Sequence, residues 1–93
     1  MKTGIEIIAE ERKRQISSEG WSMTHDLGHN DGELAIAASC YALPSQFSRK
    51  TFWLFEKDSF KPSKDRIRDL AKAGALIAAE IDRLQQTEKG GGL

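Results

Sequence analysis

Residues 65–84 read DRIRDLAKAGALIAAEIDRL, and the reading of this stretch decides the fold. Ile67, Leu70, Gly74, Ile77, Ile81 and Leu84 succeed one another at steps of three, four, three, four and three. A helix of 3.6 residues per turn brings such positions onto one seam, whereas a strand would need alternation. Ala71, Ala75 and Ala78 widen the seam, and small side chains there let a second helix approach closely. Ser63 is the expected cap, and residues 88–93 are expected to form a frayed tail.

The natural packing partner is a second alanine-rich helix over residues 31–42. Asn30 followed by Glu33 marks its start, Leu34, Ala37, Ala38 and Tyr41 form its apolar stripe, and Pro44 closes it. A first helix is expected over residues 4–17. Thr3 followed by Glu6 is a capping box, in which hydroxyl and carboxylate each take one orphan backbone N–H. Ile5, Ile8, Arg12 and Ile16 share the face expected to point inward, with Ile7 at its edge. Residues 20–30 read as a loop. Residues 43–62 form a longer connection that holds all four phenylalanines and Trp53, with helix and strand both open around TFWLFE. The fold expected is all-α: one domain over residues 1–93, a compact bundle of three main helices with two long loops.

Composition narrows the function. Hydrophobic residues make up 39% and charged residues 30% of the chain, as in a folded soluble domain. The formal net charge is zero, which disfavours general nucleic-acid binding and removes repulsion between copies, so a homo-oligomer is expected. A single cysteine, Cys40, forms no internal disulfide and fits a reducing cytoplasm. The first fifteen residues turn charged within ten positions, so neither a secretory leader nor membrane association is expected.

Three clusters carry candidate chemistry. In GWSMTHDLGHNDGELA, residues 20–35, the side chains Trp21, His25, Asp26, His29 and Glu33 crowd together. Two imidazoles four apart with nearby carboxylates can hold a divalent metal on a helix, but Gly28 and Asn30 argue for a loop, where the same residues cap and bridge. No metal or other cofactor is assigned. Arg12 interrupts an apolar face and is expected to meet an internal acid or an anionic ligand with its planar fork. Tyr41 and Trp53 are candidate stacking surfaces, and Lys61 and Lys64 are candidate phosphate contacts.

The stretches GIEIIAEERKRQISSEGWSMTHDLGHNDGELAIAASCYA and KPSKDRIRDLAKAGALIAAEIDRL resemble a family of small, uncharacterised phage and prophage proteins. That resemblance implies a phage origin and a host-cytoplasm setting. A more distant likeness is to the MazG-like all-α nucleotide pyrophosphohydrolases, which hold magnesium with a Glu-Glu-x-x-Glu helix and a later Glu-x-x-Asp. Here Glu10 and Glu11 are followed by Arg14 in the third position, and Glu80 and Asp82 stand two apart. The expected function is therefore non-enzymatic: an accessory protein that binds a host protein or a small anionic, nucleotide-like ligand. A divergent metal-dependent hydrolase and a structural oligomer are the alternatives.

Overall fold

The computed structural model describes residues 1–18, 32–44 and 61–91, with side chains through residue 86. It shows three helices and, among the described residues, no strand: α1 (Gly4–Ser18), α2 (Glu33–Ala42) and α3 (Arg66–Gly91). The expected all-α, three-helix architecture is what the described residues adopt. No described helix is long and apolar enough to cross a membrane.

Each helix starts for a local reason. At α1 the expected capping box forms: the Glu6 N–H donates to Thr3 Oγ1 at 3.2 Å, and the Thr3 N–H donates to a Glu6 carboxylate oxygen at 2.8 Å. Both bonds favour the ionised carboxylate and hold Glu6 below its ordinary pKa, the backbone bond being the larger cause. At α2 the residue before the first turn is Gly32, with φ at 84° and no side-chain cap. A side chain is disfavoured at that backbone angle, so a glycine holds the position before the first turn and the helix begins at Glu33 rather than at residue 31. Asn30 itself lies outside the described residues. At α3 the cap is Asp65 rather than Ser63. Asp65 Oδ1 accepts the Ile67 N–H at 3.0 Å, and the Asp65 carbonyl accepts the Asp69 N–H at 3.1 Å. Ser63 instead braces the approach, its hydroxyl accepting the Asp65 N–H.

Helix α2 ends as expected before Pro44. Leu43 is extended, and its N–H donates to the Ser39 carbonyl. Its last carbonyls are then closed from outside. The Arg66 guanidinium donates to the carbonyls of Tyr41 at 3.3 Å and Leu43 at 2.9 Å, and also to that of Ala42. A cation there also complements the negative end of the helix.

Helix α3 is the central element, packed most extensively on α2 and next on α1. The core joins Leu34, Ala37, Ala38, Cys40 and Tyr41 of α2 to Ala73, Leu76 and Ala79 of α3. The expected close packing of α2 on α3 through small residues is present, but along a different stripe of α3. Ile67, Leu70, Ile77, Ile81 and Leu84 are 45–63% exposed. The buried positions are Asp69, Ala71, Ala73, Ala75, Leu76, Ala79 and Arg83. The reason is steric: alanines bring two backbones closer than branched side chains allow, and a tight interface loses fewer van der Waals contacts to gaps.

Gly74 also serves another neighbour. A Cβ there would lie 2.5 Å from Ile8 Cδ1 and 2.8 Å from Ile8 Cγ1, so its bare backbone is the seat of α1, not of α2. On α1 the expected inward face is turned as well. Ile5 is 82% exposed and Ile16 is exposed, whereas Glu11 and Gln15 are buried. Gly4, Ile8, Glu11 and Gln15 follow at steps of four, three and four, so they share a face whose second half is polar.

Candidate functional site

That polar half of α1 meets the start of α3 in a cleft of about 330 Å³. Its walls include Ile7, Ile67 and Ala71, and its charged groups are Glu10, Glu11, Arg14, Asp65 and Arg68. The Glu11 side chain is 4% exposed and is gripped by Arg14, whose Nε donates at 3.0 and 3.1 Å and whose Nη2 donates at 2.7 Å. A planar guanidinium matches a carboxylate in this two-pronged way, which holds both groups in one geometry.

The other acids of the cleft are committed too. Glu10 pairs with Lys2 at 2.7 Å, and Asp65 caps α3. The cations are less fully matched. Arg68 reaches Glu11 only at 3.6 Å and its side chain is 46% exposed. Lys72, one helical turn further on, donates from Nζ to the Lys61 carbonyl at 2.8 Å and lies 5.4 Å from the Tyr41 ring centroid. Burial pushes its pKa down, and the positive charge of Arg68 pushes it further, against the opposing pull of Asp69 and Glu11. Arg14, Arg68 and Lys72 thus all act on the neighbourhood of one buried carboxylate. One turn beyond Glu11, the Gln15 side-chain oxygen is buried with no hydrogen-bond donor.

Of the residues singled out in the sequence, Tyr41 and Lys61 come together. The Lys61 N–H donates to the Tyr41 hydroxyl at 3.1 Å. The Tyr41 ring is 6% exposed and lies beneath Lys72, so it anchors the core and offers no open face for stacking. Lys61 and Lys64 are exposed, and Lys61 contributes its backbone, not its ammonium group, to this junction. Arg12 is half-buried; its Nε is enclosed without an acceptor, while the side chain as a whole is engaged elsewhere. Glu33 lies in the first turn of α2, half-buried, where a negative charge is favoured. Trp21, His25, Asp26, His29 and Trp53 lie outside the described residues, as does the TFWLFE segment.

Lys72 was not reached by sequence reasoning, and Glu11 entered it only through the comparison with the magnesium-binding helix. A signal for Glu11 existed: it stands three residues after Ile8 and four before Gln15. Counting only apolar positions hides such a face. Among the described residues, no group of three or more His, Cys, Asp or Glu is placed to hold a metal. The carboxylate of Glu11 faces an arginine, and Glu80 on α3 is likewise held by Arg83, with Nε donating at 2.7 Å and Nη2 at 3.0 Å. Comparison with protein-family models, curated proteins and solved structures finds no match to this chain.

Proposed function

We propose that this chain is a non-enzymatic binding protein for a small anionic, phosphate-bearing ligand of the nucleotide kind, seated in the cleft between α1 and the start of α3. The observation that carries the reading is the imbalance around Glu11. Arg14 satisfies that carboxylate, Arg68 approaches it only loosely with its side chain half exposed, and Lys72 stands one turn on, its pKa lowered first by burial and second by Arg68. An added anion would relieve the crowding of positive charge. The resemblance to phage-borne proteins makes a host-cell nucleotide, withheld from host physiology or defence, the biological form of this proposal.

The metal-dependent hydrolase reading is less well supported. Glu11 and Glu80 each spend both carboxylate oxygens on an arginine three residues later, which sets a guanidinium where a cation would compete. The test is thermal melting in chelator with inorganic phosphate and with mono-, di- and cyclic nucleotides. A ligand that binds only the native state raises the midpoint by mass action. The expected result is a rise without divalent metal and without turnover, lost in Arg68→Gln. A rise that needs magnesium or manganese and comes with hydrolysis would overturn the proposal in favour of the enzyme. No rise with any anion would overturn it in favour of a protein partner or a structural role.

A further inference from the structure

The acids of the ligand cleft carry a second inference, which rests on the reading of that cleft as a phosphate site. We infer that Glu10 reads the sugar: its carboxylate takes the 2′ and 3′ hydroxyls of a ribonucleotide whose phosphate lies at Arg68. The cleft is not a simple anion hole. Three carboxylates, those of Glu10, Glu11 and Asp65, line it beside Arg14 and Arg68. Bare phosphate offers acceptors to the arginines but meets the carboxylates as like charge. A ligand suited to such a lining brings donors as well as a negative group. Ribose supplies them as two adjacent hydroxyls, each able to donate to one oxygen of an ionised carboxylate.

The three carboxylates are not equally free to accept. The Glu11 side chain is 4% exposed and both of its oxygens hold Arg14. Asp65 Oδ1 holds the Ile67 N–H at the start of α3. The Glu10 side chain is 54% exposed, and its described partner is Lys2, eight residues earlier and 61% exposed. An ion pair so open to water, between two long side chains, is weak and easily exchanged. Glu10 also stands three residues after Ile7 and four before Arg14 on α1, so it shares their side of the helix, toward the cleft. Size agrees. A volume of about 330 Å³ is at the low end of the roughly 300–1,000 Å³ of small-molecule sites, which favours one nucleotide unit over a dinucleotide. Ile7 and Ile67 add an apolar wall on which a base can lie.

Equilibrium dialysis in chelator tests this with the 5′-monophosphates of adenosine, guanosine, cytidine and uridine and their 2′-deoxy counterparts. The ribose form should bind about two- to tenfold tighter than its deoxy partner, the range for one hydrogen bond. Glu10→Ala should erase that ratio, whatever it does to the absolute affinities. Position 10 is exposed and alanine favours helix, so the variant folds, which circular dichroism checks. Lys2→Ala removes the competing cation and should keep or widen the ratio. Equal binding of the two series by the wild type overturns the inference and leaves the phosphate cleft standing. So does a preference that survives Glu10→Ala, or one that Lys2→Ala abolishes. Binding of neither series overturns the reading of the cleft, and this inference with it.

Discussion

Two faces of α3 lie side by side and behave oppositely. One presents Asp69, Ala73, Leu76, Ala79 and Arg83 and is buried. The other presents Ile67, Leu70, Ile77, Ile81 and Leu84 and stands about half open. Both run at three-and-four spacing, so periodicity does not distinguish them. Side-chain size does. The face with the smaller side chains wins the intramolecular partner because close backbone approach packs more atoms into contact, even though each residue is less apolar. It also tolerates a buried arginine, because Glu80 neutralises Arg83 at 2.7 Å with both side chains nearly enclosed. The teaching is that hydrophobicity along a helix marks what can be covered, while small side chains mark what is covered by the chain's own elements.

The sharpest way to break this comparison is a matched pair of truncations. Leu76→Ala, on the closed face, should cost about 2–5 kcal/mol in denaturant unfolding, as for other core leucines. Ile77→Ala, one residue on and half exposed, should cost under about 1 kcal/mol in dilute protein. Equal costs would mean that the two faces are not distinct. Next in size is Gly74→Leu, expected to cost about 1–3 kcal/mol by overpacking Ile8. It should loosen α1 while sparing the contacts of α2, which hydrogen exchange resolved by helix would report. Thr3→Ala should cost about 0.5–2 kcal/mol, the range for losing a helix cap. The smallest effect concerns pH. Glu6 titrates below its ordinary value near 4.5 in the folded chain, so its contribution is present above that pH and fades as pH falls through the lowered value. Glu6→Gln should therefore flatten the acid side of the melting-temperature profile, and an unchanged profile would remove the capping box from the account.

Much of the architecture was legible in the sequence. The seam spacing revealed α3, the Leu34-to-Tyr41 stripe revealed α2, and the Thr3–Glu6 pair revealed the start of α1 down to its two hydrogen bonds. These signals are local or periodic, and each acts within a few turns. Facing was less legible. Which stripe of α3 turns inward depends on the combined shape of two helices, and Gly74 was matched to α2 when it seats Ile8 of α1. The polar cluster was hardest to see. Glu11 is buried beside Arg14 of its own helix, with Arg68 of α3 approaching at 3.6 Å, and no spacing within α1 announces that second cation on another helix.

The Arg66 guanidinium has a consequence for how this chain can be altered. It gathers three carbonyls of residues 41–43 from the first turn of α3, so the two ends of the intervening stretch are clasped at its base. Replacing Arg66 by methionine should leave those three carbonyls without this donor, so the last turn of α2 should fray while the core shared by α2 and α3, which Arg66 does not enter, holds.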